Sequence, residues 1–161
     1  MAAFRIGLGY DVHKLAAGET LVLGGVSIDA PFGTVAHSDG DVLLHAICDA
    51  LLGAAALGDI GEHFPDTDPA YHQASSLDLL RQCIRLLNEH DYSVINIDAT
   101  LILEKPKILP YKKDMCSHIA SASSIEPDAV SIKATTAERM GFVGRGEGVE
   151  AHAVVLITRE A

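Results

Sequence analysis

Asp11 and His13 stand two apart in Gly9-Tyr10-Asp11-Val12-His13, and His45 closes a later run that begins His37-Ser38-Asp39-Gly40-Asp41. A β-strand alternates its side chains, so Asp11 and His13 share one face. An imidazole from a nearby helix completes an Asp/His/His set. Three protein ligands of this kind leave one tetrahedral position open, as a catalytic zinc requires. His37 has two alternatives. It is a fourth ligand, or it stays unligated beside the metal and contacts a substrate anion. The second suits the start of a helix, where Ser38 and free backbone N–H groups also point.

The elements that must hold these groups follow from the pattern of apolar residues. Residues 4–15 read as a strand, and 21–28 as a strand or hairpin broken at Gly24-Gly25. Ser38 is a good helix N-cap, with Asp41 three residues on completing a capping box, and the helix runs to about residue 57. Its apolar members, among them Val42, Leu43, Leu44, Ile47 and Leu51, nearly encircle it. Asp41, His45 and Asp49 lie at i, i+4 and i+8, one polar stripe on a greasy helix. Polar groups on a buried helix need partners, and a metal with its ligand shell supplies them.

Further along, 58–71 reads as a loop, 75–90 as an amphipathic helix and 93–104 as a strand. A third helix runs from 110 or 111 to 123, 130–135 is a strand, 141–148 is a glycine-rich turn and 149–158 is the closing strand. This mixture predicts one α/β (α+β) domain over 1–161, a mixed β-sheet packed against about three helices.

Composition bounds the rest. A chain of 161 residues is long enough for one domain with a real core. Hydrophobic residues make up 48% of it, and its longest apolar stretch is too short to span a bilayer. The surplus therefore points to buried subunit contacts rather than a membrane. The formal charge of −10 argues against nucleic acid as a partner. A phosphate ligand would need local donors and divalent cations to offset it. The cysteines, Cys48, Cys83 and Cys116, are widely spaced and odd in number, as reduced thiols of a cytosolic protein would be. Only Met1-Ala2-Ala3-Phe4 precede the first strand, so no signal segment is expected, though a processed organelle protein would look the same.

Several motifs fail on inspection. Asp66-Thr67-Asp68 has the start of a calcium loop, but Tyr71 stands where a glycine is needed. The alternatives for residues 64–69 are a solvated loop and a lid over a polyhydroxylated ligand. Gly7-Leu8-Gly9 begins a dinucleotide fingerprint that Val12 breaks, and Gly144-Arg145-Gly146-Glu147-Gly148 lacks the Lys-Ser/Thr ending of a P-loop. Lys133 to Glu138 places hydroxyls and a carboxylate at a strand end. That suits ordinary strand termination or a phosphate and magnesium contact. Pattern alone gives a metal-dependent phosphotransfer or hydrolytic enzyme.

Seven motifs in order carry a closer likeness. They are Gly-Tyr-Asp-Val-His (9–13), the run from His37 to His45, Asp-Ala-Leu-Leu-Gly-Ala-Ala-Ala-Leu-Gly-Asp-Ile-Gly (49–61) and Phe-Pro-Asp-Thr-Asp-Pro (64–69), then Pro-Lys-Ile-Leu-Pro (106–110), Lys-Ala-Thr-Thr-Ala-Glu (133–138) and Gly-Phe-Val-Gly-Arg-Gly-Glu-Gly (141–148). With these, nearly the whole chain resembles the 2-C-methyl-D-erythritol 2,4-cyclodiphosphate synthase family of the non-mevalonate isoprenoid pathway. Ala137 departs from it, since members often carry a third threonine there.

The resemblance implies an activity: 4-diphosphocytidyl-2-C-methyl-D-erythritol 2-phosphate becomes the cyclic diphosphate and CMP, the substrate's own 2-phosphate attacking the β-phosphorus. It implies that Asp11, His13 and His45 hold zinc or another transition metal, and that Glu138 helps bind magnesium or manganese at the diphosphate. His37 and Thr136 would stabilise the transition state, His37 and Ser38 also meeting the erythritol phosphate. Phe64, Pro65, Asp66, Thr67 and Asp68 would close over the methylerythritol end, with Asp59 and Gly61 at the ribose hydroxyls and Ile60 also at the substrate. Leu103, Glu104, Lys105, Pro106, Lys107, Ile108 and Leu109 would meet the cytidine end, with Thr135, Thr136 and Ala137 alongside. The family implies a homotrimer with sites between subunits. Phe142 and Arg145 match positions that in some members bind an isoprenoid diphosphate on the threefold axis; alternatively they only fill and cap the trimer core. A cytoplasmic bacterial protein, or a plastid stromal one in processed form, fits this reading. Two other classes remain: a zinc hydrolase whose metal-bound water attacks a phosphoester, and a non-catalytic trimeric binder of isoprenoid diphosphates.

Overall fold

The computed structural model of the chain describes residues 3–65, 67–68 and 74–159. Among these residues seven strands and five α-helices follow one another: β1 (Ala3–Ala17), β2 (Leu21–Leu23), β3 (Val26–Ile28), β4 (Phe32–Thr34), α1 (Val42–Ala55), α2 (Ile60–His63), α3 (Ser76–Glu89), β5 (Tyr92–Ile102), α4 (Lys112–Ser123), β6 (Val130–Thr135), α5 (Gly141–Gly144) and β7 (Gly148–Arg159). Five strands form a mixed sheet in the order β4-β1-β7-β5-β6, and β2-β3 is a separate hairpin. Only β5 and β6 pair in parallel, and α4 lies in the crossover between them.

The α/β architecture agrees with the sequence expectation, with three long helices. Four details differ. The helix expected from Ser38 to about 57 is shorter, Val42–Ala55, because Asp41 rather than Ser38 caps it: the Asp41 side chain accepts from Leu44 N. The stretch 58–71 is not all loop, since Asp59 caps the short α2 by accepting from the Glu62 N–H. The turn at 141–148 begins as α5. The sequence reading missed β4, three residues long and too short to show a period.

α1 is the centre of the core. Eleven of its fourteen residues are buried, because the sheet lies on one side and α3 and the hairpin cover the rest. β1 lies so close that a Cβ on Gly9 would stand 1.8 Å from the Ala46 carbonyl oxygen, and one on Gly7 equally near that of Ala50. Glycine at alternate positions of β1 therefore lets strand and helix backbones touch, and the next two residues on that face are Asp11 and His13. The opposite face carries no helix. There Ile6 and Leu8 are 73% and 70% exposed, with Phe4, Tyr10, Val12 and Val154 beside them.

Candidate active site

The close approach of β1 to α1 aims Asp11 and His13 at His45, one turn into the helix. Asp11 Oδ2 lies 3.0 Å from His13 Nε2 and 3.1 Å from His45 Nδ1. The two nitrogens are 3.1 Å apart. Ligands at zinc bond lengths of about 2.0–2.1 Å in tetrahedral array stand roughly 3.3 Å from one another, so these three atoms need to spread only slightly to share an ion. The three are half-buried and are the set among the described residues whose donor atoms converge this way. The donor chemistry, two imidazoles and a carboxylate, fits zinc or a similar transition metal.

Electrostatics reinforces the cluster. Burial pushes the Asp11 carboxyl up, but the hydrogen bonds and charges of His13 and His45 outweigh it and hold the group well below the usual carboxylate range. Burial works against the His45 imidazolium, yet Asp11, with Asp41 and Asp39 behind it, raises its pKa. A set that attracts protons this way holds a site for a cation, which must displace them.

The stripe Asp41-His45-Asp49 divides by role. Asp41 is fully buried and accepts from Gly24 N at 3.0 Å and Gly25 N at 2.7 Å besides capping α1. Gly24 and Gly25 both have positive φ, a two-residue hairpin turn that glycine adopts without strain. Burial pushes Asp41 up to about 6, against the pull of these backbone donors. Asp49 accepts from Ile60 N at 2.8 Å and so sets the start of α2. Both are braces for the elements around His45, not ligands.

A cleft of about 480 Å³ opens over His13 and His45, walled by His37, Ser38, Ile60, Gly61, Phe64 and Pro65. The cleft thus brings His13 and His45 together with Phe64 and Pro65 of the expected lid, and with Gly61, which was expected at the ribose. Thr67 and Asp68 are exposed nearby in sequence, while Asp66 lies outside the described residues. The expectation of free backbone N–H groups beside His37 and Ser38 is corrected. α1 begins four residues later, its first-turn N–H is taken by Asp41, and Ser38 Oγ accepts from Gly40 N. His37 lines the cleft without a helix terminus beside it.

A second cleft, about 300 Å³, lies at the far side of the sheet. Its walls include Leu103, Pro106, Lys107, Ile108, Leu109 and Thr135, with Glu104 and Thr136. Lys112 of α4 adds a cation that sequence reasoning missed, because it reads there as an ordinary helix residue. Beyond β6, Glu138 and Arg139 adopt positive φ of 52° and 62°. Glu104 holds this turn, one carboxylate oxygen accepting from Ala137 N at 3.0 Å and Arg139 N at 3.2 Å. Thr136 Oγ1 donates to Glu138 Oε1 at 2.9 Å. Lys105 faces a third cleft instead, with Arg139 and Arg145. Arg145 is exposed and doubly bonded to Glu147, and Phe142 lines neither of the first two clefts.

The two clefts do not meet within one chain. Asp11 pairs with Ala151, Ala151 with Leu101 and Leu101 with Ala134, one row across four strands. Three strand spacings put Ala134 about 14 Å from Asp11. β1, β5 and β6 all run the same way, so both sets lie at one end of the sheet.

Fold and site together define a class: an α/β unit with a half-buried Asp/His/His set able to hold a metal and a separate cleft lined by threonines and lysines. The chain matches the YgbB family over residues 4–158, and it belongs to that family. A relative from Chlorobaculum tepidum, named 2-C-methyl-D-erythritol 2,4-cyclodiphosphate synthase, is 58% identical over 95% of this chain and 98% of its own. One of the same name from Thioalkalivibrio sulfidiphilus is 57% identical over 98% of each. Among solved structures, a CDP-bound form of such a synthase superposes with a TM-score of 0.88 at 38% identity, covering 95% of this chain and 99% of that one. The bifunctional IspDF from Campylobacter jejuni gives 0.95 at 41% identity over 99% of this chain, which spans 43% of that longer protein.

Proposed function

We propose that this chain carries out the reaction its relatives are named for. It is a lyase that converts 4-diphosphocytidyl-2-C-methyl-D-erythritol 2-phosphate to 2-C-methyl-D-erythritol 2,4-cyclodiphosphate and CMP, in isoprenoid precursor synthesis. An oxygen of the substrate's 2-phosphate bonds to the β-phosphorus, and the bond from that phosphorus to the oxygen bridging to the α-phosphorus breaks. CMP leaves with that oxygen, and no water is consumed. The observation that carries the reading is the converging Asp11/His13/His45 set, in a chain with relatives above half identity over nearly their full length.

Asp11, His13 and His45 hold a divalent transition metal, zinc by its donor set, and Glu138 helps hold magnesium or manganese. The metals supply Lewis-acid polarisation of the phosphoryl oxygens. The remaining task is positioning and charge stabilisation. His37 and Ser38 meet the erythritol phosphate from the cleft wall. Thr136, tied to Glu138, presents its hydroxyl toward the diphosphate. The cytidine end sits among Leu103 to Leu109 and Thr135, where backbone groups read the base and Lys107 and Lys112 answer phosphate charge.

Asp11 and the end of β6 in one chain are separated by about 14 Å, too far for Asp11, His13 and His45 to act with Thr136 and Glu138 on one diphosphate. The working site is therefore built from two copies, the metal cleft of one beside the nucleotide cleft of its neighbour. The helix-free sheet face, with Ile6 and Leu8 more than two-thirds exposed, is the surface the copies bury in a homotrimer. The protein acts in the bacterial cytoplasm or an equivalent plastid compartment. Among the described residues no helix is long and apolar enough to cross a membrane.

The test is product identification by mass spectrometry after incubation with the diphosphocytidyl substrate and magnesium, with metal analysis of the same sample. Cyclic diphosphate and CMP in equal amounts support the synthase. A linear phosphate product points to a zinc hydrolase, and no turnover to a binding module.

A further inference from the structure

His45 reaches the metal position through Nδ1, so its other nitrogen must carry the proton when an ion is held. That nitrogen, Nε2, lies 3.0 Å from Ser76 Oγ and 3.3 Å from Ser38 Oγ. Ser76 is the first residue of α3 and is fully buried, an unusual place for a hydroxyl. Its own hydrogen goes to Asp39 Oδ1 in a short bond. The second Asp39 oxygen accepts from Ser76 N at 2.9 Å.

We infer that Asp39 and Ser76 are positioning residues for the metal centre: they fix the direction of the hydrogen-bond chain so that His45 presents Nδ1 as a lone pair. A carboxylate only accepts, so the Ser76 hydroxyl must donate to Asp39. Its oxygen then faces His45 as an acceptor and takes the Nε2–H. The lone pair on Nδ1 is left toward Asp11 and His13. Because Ser76 takes this proton, the Ser38 hydroxyl, which accepts from Gly40 N, keeps its own hydrogen for the cleft. The chain also joins the first turn of α3 to the middle of the site, so the same contacts set the height of the His45 ring.

The inference rests on the metal reading above, and its signature is specific. Asp39 Oδ1 also accepts from the Asp41 N–H, at 3.3 Å; in Asp39→Asn the amide oxygen keeps the shorter backbone contact, the Ser76 N–H at 2.9 Å, at the expense of the longer one. The amide NH2 then donates to Ser76 Oγ. That hydroxyl turns and donates toward His45 Nε2, which reverses the chain and favours the proton on Nδ1, where the ion must bind. Ser76→Ala only removes the acceptor, and Ser38 Oγ remains nearby. Asp39→Asn should therefore weaken zinc more than Ser76→Ala does, although it keeps a side chain of the same shape.

The experiment measures zinc affinity of the purified full chain by competition with a chromogenic chelator. It also follows the His45 Nε2–H proton of the zinc-loaded protein by NMR. Loss of a partner behind a ligating histidine typically weakens metal about 10- to 100-fold, so roughly 10-fold is expected for Ser76→Ala and about 100-fold for Asp39→Asn. The wild-type Nε2–H should exchange slowly with water, faster in Ser76→Ala, where only Ser38 Oγ at 3.3 Å remains, and fastest in Asp39→Asn. Wild-type zinc affinity in both variants, or an Nε2–H that stays protected in Ser76→Ala, overturns the inference. If Asp39→Asn does not fold, Ser76→Ala carries the test alone. Failure of the metal reading itself looks different: wild type and Asp11→Ala would then bind zinc equally weakly.

Discussion

The two ends of the proposed site are built on different terms. The metal end is finished within one chain. Its ligands sit on a strand pressed against a buried helix, and carboxylates brace it on every side: Asp41 to the hairpin, Asp49 to α2, Asp39 to α3. The nucleotide end lies on edge strand β6 and the segment after β5. Thr135, Thr136 and Glu138 are exposed, and Leu109 is 76% exposed. Side chains that must bind a highly charged ligand, yet lie open on a sheet edge, are waiting for a wall. The difference teaches that one chain can converge the donors for a metal while its second cleft stays open and apart.

Separate damage to the two ends should therefore have separable consequences. Asp11→Ala or His45→Ala removes a ligand and should lower turnover by about 10³-fold or more, with zinc lost from the purified protein. Glu138→Ala should lower turnover by roughly 10²-fold and leave zinc content unchanged. Zinc loss in Glu138→Ala, measured by elemental analysis, would merge the two ends into one and break the comparison.

Next in size is the effect of parting the copies. Leu8 points away from α1, into the apolar patch on the helix-free face. Leu8→Asp places a charge where an interface is proposed, without touching the core. Light scattering should show a monomer that keeps its zinc but turns over about 10²-fold more slowly, because each metal cleft has lost its neighbour's nucleotide cleft. A fully active monomer sinks the shared site.

A gentler version rescues activity instead of destroying it. When Asp11→Ala and Glu138→Ala chains are co-expressed in equal amounts, each site in a mixed ring draws one half from each of two neighbours. Random assortment gives one site in four with both halves intact, so activity should recover to about a quarter of wild type. If both halves acted within one chain, the mixture would stay as inactive as its parts.

Much of the metal end was legible in the sequence, since its information is local. Asp11 and His13 share a strand face by period, and His45 stands out as a polar residue on a greasy helix. What stayed hidden were the braces. Asp39 and Ser76 meet only because α3 folds back onto the start of α1, and a serine in the first turn of an amphipathic helix carries no local sign of such a partner. Asp41 read as the third residue of a capping box because Ser38 is an equally good cap by type. The choice fell to Asp41 because its carboxylate also satisfies the N–H groups of Gly24 and Gly25, a tertiary gain that no local pattern carries. At the nucleotide end the resemblance supplied residues 103–109 as a block. The structure sorts them: Lys105 turns to the cleft with Arg139 and Arg145, Glu104 steadies the turn that presents Glu138, and Lys112 joins from α4.

Lys107 and Lys112 give the smallest effect, and the one most revealing about how open the nucleotide end is. Both line the second cleft. Lys107 is exposed and Lys112 half-buried, and a lysine facing a phosphate across a cleft open to solvent contributes a screened interaction of about 0.5–1 kcal/mol. Lys112→Ala should then raise KM about two- to five-fold, leave kcat nearly unchanged, and lose its effect as salt is raised. If the neighbouring copy closes over this cleft, water is excluded and the same charge is worth more. The measured salt dependence distinguishes the two. A KM change that persists at high ionic strength reports a cleft sealed by the next subunit, and one that fades reports a cleft still open to solvent in the assembled protein.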